Sequence, residues 1–261
     1  MWGNRRVSVV LPAYNEAEHV ATSIQDFLRT GLVDEVVVVD NNSTDATVAE
    51  VRKTPARLVT EHRQGYGFTC QRALREATGD LVILSEPDGT FLGRDVIKLL
   101  AYTDEFDVVL GTRTTPTLIH AGANMGFFLK WGNWAVAKFL EFLFDGPSLT
   151  DVGCTMRMMH RQALSQMEPY FTVGGSHFSP EMMILALLLR LRVVEVPVNY
   201  AKRRGVSKIT GNRLRAIRVG LAMVGVIMRY RLRWWHVRPP RPRTKPFQEN
   251  PDESREGSQS V

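Results

Sequence analysis

The chain has 261 residues, of which 44% are hydrophobic and 23% are charged, and its formal net charge is +6. This length and composition favour one domain with a sizeable core and some appendages, and they exclude a disordered or fibrous chain. The two cysteines, Cys70 and Cys154, do not form a CxxC pair, so we expect no disulfide scaffold and a reducing compartment.

Strands and helices alternate four times in the first 90 residues. The predicted strands are short apolar runs at residues 7–11, 35–39, 57–60, 81–84 and 108–110. The predicted helices cover about residues 17–29, the stretch after the polar turn at 40–47, and the stretch from the QGYGF loop at 64–68 to about Gly79. This alternation predicts an α/β fold with a mostly parallel, doubly wound sheet.

A cluster of polar residues follows almost every predicted strand. The clusters are Asn15 with Glu16, Asp40 with Asp45, Glu86 with Asp88, and Arg113. In such a sheet these strand ends lie along one edge, where ligands bind, so four clusters together favour a nucleotide site over ordinary loop solvation. The GxGxxG fingerprint and the Walker loop GxxxxGK[ST] are both absent from the sequence, which disfavours dehydrogenases and P-loop enzymes.

The turn after the strand at 81–84 carries two carboxylates, Glu86 and Asp88, next to Pro87 and Gly89. At a strand end, this pair is well placed to hold a divalent cation, Mg or Mn, and through it the oxygens of a phosphate. Acidic residues are also common in turns that bind nothing. The metal site is therefore a hypothesis that rests on a very short motif.

Seven motifs, taken in order, give the chain a resemblance to a known family over about residues 5–210. They are VVLPAYNEAEHV from Val9, VVVVDNNSTDAT from Val36, GYGF from Gly65, ATGDLVILSEPDGTF from Ala77, GTR from Gly111, DVGCTMR from Asp151 and VPVNYAKRRGVSK from Val196. The set resembles the inverting GT-A glycosyltransferases of family 2, and among them the dolichyl- or polyprenyl-phosphate sugar synthases. The resemblance implies the GT-A fold, a GDP- or UDP-sugar donor and a polyprenyl-phosphate acceptor.

The resemblance also implies roles for residues at the strand ends. The predicted nucleotide-binding residues are Pro12, Tyr14, Asn15, Glu16, Asp40, Asn42, Gly65 and Gly67. Glu86 and Asp88 stand where the family has its DxD motif for the metal and the diphosphate. Because Glu86 replaces the first Asp and is one methylene longer, we expect Asp88 to be the direct metal ligand.

The predicted acceptor- and phosphate-binding residues are basic or polar, and most lie in one loop. They are Arg113, Lys130, Lys202, Arg203, Arg204, Ser207 and Lys208. The loop is one residue shorter than in mannosyl members, so which of its three consecutive basic residues matches the family arginine stays open. Arg204 could equally be solvated.

The predicted catalytic residues are Asp88, Arg113, Glu181 and Arg203. Glu181, with His177, is the best candidate for a general base or a sugar contact. It also opens an apolar helix after Pro180, where a carboxylate can serve simply as an N-terminal charge. Arg157 can be explained without a catalytic role, as the partner of Asp151.

Two apolar helices are predicted to lie on a membrane surface. The stretch 125–144 is rich in Phe, Trp and Leu, and a helix of the protein core is its alternative explanation. The stretch 214–228 has basic flanks, and residues 202–233 contain ten Lys or Arg and no Asp or Glu, which favours an anionic membrane leaflet. No signal peptide and no uncharged apolar run of about 18 to 20 residues is visible, so we expect a cytoplasmic protein that is peripherally associated with the membrane.

We therefore divide the chain into a glycosyltransferase domain at 1–211, a membrane-associating helix at 212–235 and a disordered tail at 236–261. The expected activity is transfer of a hexose to a polyprenyl phosphate at the cytoplasmic face of the membrane. A transferase with a hydroxyl acceptor is the alternative, and a nucleotidyltransferase is a further one. A nucleic-acid-binding module would leave the ordered carboxylates of the first half unexplained, so we expect no nucleic acid partner.

Overall fold

The computed structural model describes residues 1–120, 123, 127–202 and 213–234. It contains one seven-stranded sheet. In chain order its strands are β1 (Val7–Ala13), β2 (Glu35–Asp40), β3 (Arg57–Thr60), β4 (Leu81–Leu84), β5 (Val108–Thr112), β6 (Arg157–His160) and β7 (Val193–Pro197). Their order across the sheet is β3-β2-β1-β4-β6-β5-β7. All neighbours pair in parallel except β6, which is antiparallel to β4 and β5, so the predicted mostly parallel sheet is confirmed.

Helices cover both faces of the sheet. They are α1 (Val20–Leu28), α2 (Thr47–Arg52), α3 (Tyr66–Glu76), α4 (Val96–Leu100), α5 (Phe127–Phe144), α6 (Arg161–Met167), α7 (Phe178–Leu188) and α8 (Arg213–Arg233). Successive strand residues point to opposite faces, and the core is accordingly split into two clusters. Helices α1, α2 and α4 pack on one face, and α3 and α5 to α8 pack on the other.

The first strand is two residues longer than predicted. We expected it to end before Pro12, but β1 continues to Ala13, with Pro12 opposite Val39 of β2. The register with β4 stops at Val10, so at Pro12 the described ladder continues on one side only. A proline, which has no N–H to donate, is tolerated at such a position.

The third helix ends at Glu76, three residues before the predicted end near Gly79. The backbone N–H groups beyond it are taken by side chains of the sheet. Thr78 N donates to Glu35 Oε2 at 2.9 Å, and Gly79 N donates to Ser8 Oγ at 2.8 Å. Ser8 Oγ in turn donates to Glu35 Oε2 at 2.6 Å. These contacts, which bring together residues far apart in sequence, stop the helix.

The two predicted membrane helices each bury one face in the core. Ala137 and Leu140 of α5 and Ile227 and Tyr230 of α8 belong to the same buried cluster as α7. Other side chains of the two helices are exposed, namely Trp131, Trp134, Phe142, Leu221, Met228 and Leu232. The buried face of α5 confirms a place in the core for the stretch 125–144, while its docking on a membrane stays a prediction.

None of the helices in the described part of the chain is long and apolar enough to cross a membrane. Four of the predicted phosphate-binding residues, Arg203, Arg204, Ser207 and Lys208, lie outside the described residues, as does the predicted disordered tail.

The replacement Ser8→Ala should lower the free energy of unfolding by about 1–3 kcal/mol, because it leaves the buried N–H of Gly79 without its acceptor. Urea denaturation of both proteins measures the difference. Ser165→Ala is the matched control, because Ser165 is exposed and its hydroxyl donates to Gln162 O within its own helix, and it should change stability by no more than about 0.5 kcal/mol. Equal effects of the two replacements would contradict this account of the helix end.

Candidate active site

The predicted polar clusters lie at one edge of the sheet. Strands β1, β2 and β4 are parallel to each other, and β5 has the same direction as β4 because β6 runs antiparallel to both. Their carboxyl ends therefore open on the same side, where ligands bind in α/β folds.

The loops after β1 and β2 form one wall of this edge. Asn15 Oδ1 accepts a hydrogen bond from Thr44 N at 2.8 Å, and Asn15 N donates to Ser43 Oγ at 2.9 Å. Glu16 N donates to Thr47 Oγ1 at 2.8 Å. Asn15 has a φ of +55°, a left-handed conformation that asparagine tolerates better than most residues. The two loops are thus held together before any ligand is present.

Asp40 provides a carboxylate oxygen to this wall. The residue is buried, and its Oδ2 accepts a hydrogen bond from Ser43 N at 3.3 Å. Its Oδ1 is also buried and has no hydrogen-bond partner among the described residues. A buried acceptor in this state is unusual in a native protein, and its position fits the predicted contact of Asp40 with the nucleotide.

Asn41, which was not among the predicted site residues, holds the glycine loop at 64–68 against β2. Its Nδ2 donates to the carbonyl oxygens of Glu61 and Arg63 at 2.8 and 2.9 Å, and its Oδ1 accepts from Gly65 N at 2.8 Å. Its signal in the sequence is its position in the DNN triplet, between the predicted site residues Asp40 and Asn42. Asn42 has a φ of +60° and donates to His62 O at 3.1 Å.

Gly65 and Gly67 are required by packing. Gly67 N donates to Gly174 O at 2.9 Å. A Cβ on Gly65 would overlap with Gly174 O, and a Cβ on Gly67 would overlap with Val173 O. The two glycines thus let the loop approach the backbone at 173–174, while their predicted contact with a nucleotide stays a prediction.

The acidic turn after β4 directs its two carboxylates differently. Asp88 is buried, and its Oδ1 accepts from Thr90 N at 3.0 Å and from Thr90 Oγ1 at 2.6 Å. Glu86 Oε1 lies 3.4 Å from the hydroxyl of Tyr66 in α3. The longer side chain of Glu86 therefore reaches the helix that follows the glycine loop.

No group of three or more His, Cys, Asp or Glu residues that could hold a metal occurs among the described residues. Mg²⁺ is usually bound by one or two carboxylates together with substrate phosphates and water. Asp88 and Glu86, two carboxylates from one turn, fit that pattern.

Arg113, at the end of β5, forms a buried ion pair with Asp151. Arg113 Nε lies 2.8 Å from Asp151 Oδ2, Nη2 lies 2.9 Å from Oδ1, and Arg113 N also donates to Oδ2 at 3.0 Å. Burial alone would lower the pKa of Arg113, but the carboxylate of Asp151 holds that pKa well above its ordinary value. Two guanidinium nitrogens are thus engaged in fixing the side chain at the strand end.

Arg157 does not pair with Asp151, which corrects the alternative offered for it. It is buried and donates to three backbone carbonyls, those of Cys154 at 2.9 Å, Val152 at 3.0 Å and Ser179 at 2.6 Å. Burial lowers the pKa of its guanidinium. Arg157 therefore ties β6 to the start of α7.

Tyr200 is a second site residue that sequence reasoning missed. The Cζ of Arg113 lies 5.0 Å from the centre of its ring, and the ring of Phe91 is 5.7 Å away. Burial raises the pKa of Tyr200, Arg113 opposes that shift, and the carboxylates of Glu86 and Asp88 add to it. Its signal in the sequence is its place in the motif VPVNYAKRRGVSK, in which the predicted site residues begin only at Lys202.

The chain after Tyr200 runs beside the acidic turn. Ala201 N donates to Thr90 O at 2.8 Å, and Lys202 follows with an exposed side chain. The structure thus brings the start of the basic loop to the turn of Asp88. Lys130, also predicted to bind phosphate, is half-buried near the start of α5.

Glu181 is fully buried at the start of α7. Its Oε1 accepts from Thr172 N at 2.9 Å and from the hydroxyl of Tyr230 at 2.6 Å, and its Oε2 accepts from Val173 N at 3.0 Å. A general base has to reach the proton that it removes. These contacts favour a positioning role for Glu181 over the predicted catalytic one.

Comparisons with known proteins find related sequences and related structures. The sequence model described as Glycosyl transferase family 2 matches residues 8–167. The Dolichyl-phosphate hexose transferase of Haloferax volcanii is 30% identical over 229 residues, which are 87% of this chain and 96% of the relative. The Dolichyl-phosphate beta-glucosyltransferase of Saccharomyces cerevisiae is 26% identical over 221 residues, covering 74% of this chain and 66% of the relative.

Among solved structures, the fold is similar to that of glucosyl-3-phosphoglycerate synthase from Mycobacterium tuberculosis. Its complex with Mn²⁺, UDP-glucose and phosphoglyceric acid superposes with a TM-score of 0.67, at 19% identity, over 88% of this chain and 80% of that one. At this identity the likeness shows a shared fold, and it confirms the GT-A architecture.

The replacement Asp151→Asn should destabilise the protein by about 3–5 kcal/mol, because it leaves a buried guanidinium without its charge partner. Asp107→Asn is a matched control. Asp107 accepts the same three kinds of hydrogen bond from Arg192, but that arginine is 48% exposed, against 11% for Arg113. The control should cost about 1 kcal/mol or less. Urea denaturation distinguishes the two, and equal losses would contradict the importance of burial here.

Proposed function

This chain belongs to glycosyl transferase family 2, and from that premise we propose that it transfers a hexose from a nucleotide-diphosphate sugar to a polyprenyl phosphate, with inversion at the anomeric carbon. The observation that carries this proposal is the hydrogen bond from Ala201 N to Thr90 O. It sets the first cation of the basic loop, Lys202, beside the acidic turn that would hold the donor diphosphate. The anionic donor, bound at the acidic turn, and the anionic acceptor, bound by the cations of the basic loop, would thus lie next to each other at the same edge of the sheet.

The two dolichyl-phosphate transferases among the relatives support a lipid-phosphate acceptor. The structural neighbour was crystallised with phosphoglyceric acid, but at its identity it carries the fold alone. A hydroxyl acceptor on a glycan or a metabolite therefore remains the second candidate, and the experiment below distinguishes it from the first.

The acceptor determines which groups the reaction needs. An alcohol has to lose a proton to a general base, whereas a lipid monophosphate is already ionised near neutral pH and needs cations to position it. The fully buried carboxylate of Glu181 suits the second case better. In that case Lys202 and the rest of the basic loop would orient the attacking phosphate.

The leaving nucleotide diphosphate needs its developing charge to be stabilised. A divalent cation held by Asp88, with Glu86 beside it, would supply positive charge at that position. Arg113, oriented by Asp151 and by the ring of Tyr200, would add a second positive group at the same edge. The buried Oδ1 of Asp40 would accept a hydrogen bond from the nucleoside.

We further propose that α5 and α8 dock the protein on an anionic membrane surface. Phe142 is 83% exposed and Leu232 is 65% exposed, and aromatic residues such as Trp131 and Trp134 are typical of the membrane interface. The last turn of α8 carries Arg231 and Arg233, which would interact favourably with anionic lipid.

Incubation with radiolabelled GDP- and UDP-sugars, Mg or Mn, and polyprenyl phosphate, followed by organic extraction, tests the proposed reaction. Label should enter the organic phase in a metal-dependent way, and Asp88→Asn should reduce it on the order of a hundredfold, as removal of one electrostatic stabiliser does. Asp104→Asn, at an exposed pair with Arg5, is the control and should retain activity. Nucleotide diphosphate released without extractable label would indicate a hydroxyl acceptor, and released pyrophosphate would indicate a nucleotidyltransferase.

Flotation with vesicles that contain anionic lipid tests the docking surface. Replacing both Phe142 and Leu232 by serine should weaken vesicle binding by about a factor of ten or more for each side chain that inserts. The control is Ile97→Ser, which is 50% exposed on α4 at the opposite face of the sheet. Unchanged flotation of the double variant would refute docking through these helices.

A further inference from the structure

Among the described side chains of helix α8, Ile227 and Tyr230 are buried in the domain, and Tyr230 brings a hydroxyl group there. The residue is buried, and its hydroxyl lies 2.6 Å from Glu181 Oε1 and 3.0 Å from the carbonyl oxygen of Tyr170. Burial and the neighbouring carboxylate both raise the pKa of Tyr230, so the phenol keeps its proton and donates it to this contact.

The other donors to Glu181 come from the chain just before α7. Thr172 donates through its backbone N at 2.9 Å and through its hydroxyl at 2.6 Å, and Val173 N donates at 3.0 Å. All four donors are neutral groups. A buried carboxylate is costly to keep without full hydrogen bonding, so α8 and the segment 172–174 depend on each other through Glu181.

The segment 172–174 in turn supports the glycine loop. Gly174 O accepts from Gly67 N at 2.9 Å, and Val173 O accepts from Gln71 Nε2 at 3.0 Å. A side chain on Gly174 would overlap with the ring of Phe68. The backbone of the glycine loop therefore rests directly on the segment that Glu181 holds.

We propose that Tyr230 and Glu181 are positioning residues that link the seating of α8 to the shape of the glycine loop, and hence to the binding of the donor nucleotide. Only the last step, the effect on binding of the donor nucleotide, rests on the proposed donor site. When the hydroxyl of Tyr230 is in place, Glu181 fixes residues 172–174, and these hold Gly65 and Gly67 at the nucleotide wall. A helix seated on a membrane would thereby favour the donor-binding shape of the loop.

The replacement Tyr230→Phe removes the hydroxyl and keeps the ring. Hydrogen–deuterium exchange should become faster at residues 172–174 and at 65–68, and the KM for the nucleotide sugar should rise about fivefold or more, the lower end for coupling between sites, with a smaller change in kcat. Tyr102→Phe is the matched control, because Tyr102 lies exposed at the end of α4, and it should change neither quantity.

A second variant, Glu181→Gln, tests the other positioning residue. In either orientation the amide NH₂ group of the glutamine faces a hydrogen-bond donor. The hydrogen bonds to one of the two carboxylate oxygens are therefore lost, while the shape of the side chain is kept. If both residues act through one path, the double variant should raise KM by less than the product of the single effects. Multiplicative effects would refute the shared path.

The exchange measurement separates this inference from the proposed donor site. Unchanged exchange at 65–68 in Tyr230→Phe would overturn the inference even if the enzyme uses a nucleotide sugar. Faster exchange in a protein that binds neither UDP nor GDP by calorimetry would support the structural link and refute the donor site instead.

Discussion

The buried ion pair between Arg113 and Asp151 is the interaction on which the half of the site around β5 depends. The backbone at Asp151 is itself fixed by Glu195 of β7. The carboxylate of Glu195 accepts hydrogen bonds from Thr150 N at 2.8 Å and from Asp151 N at 3.1 Å. Burial raises the pKa of the Glu195 carboxyl, and the negative charge of the neighbouring Asp151 also raises it. Arg113 at the strand end is thus held by the carboxylate of Asp151, and the backbone of Asp151 is held by Glu195.

The same pair restricts what can surround it. A Cβ on Gly153 would come within 2.9 Å of both Arg113 Nη2 and Asn133 Nδ2, so the DVG triplet needs its glycine because these two side chains fill that space. On the other side the ring of Tyr200 stacks on the guanidinium, and the next residue bonds to the acidic turn. The acidic turn, Arg113 and residues 200–201 are therefore one connected unit, whose members would be displaced together.

The half of the site around β1 and β2 is held together differently, by hydrogen bonds between asparagine side chains and the backbone of neighbouring loops. Asn15 and Asn41 each satisfy backbone groups of a neighbouring loop, while one oxygen of Asp40 keeps an unused acceptor position among the described residues. Loops arranged in this way need little reorganisation when a ligand binds, which lowers the cost of binding. The proposed link from Tyr230 would add α8 to this arrangement through the glycine loop.

The sequence by itself determined the parallel half of the sheet and the order of the polar clusters, because strand periodicity and turn chemistry are local properties. It also placed Asp88 and Arg113 at strand ends. Only the tertiary structure decided the antiparallel insertion of β6 between β4 and β5, the choice of Arg113 over Arg157 as the partner of Asp151, and the burial of Glu181. Each of these depends on contacts between residues far apart in the chain, and no local pattern specifies which of two arginines can reach a buried carboxylate.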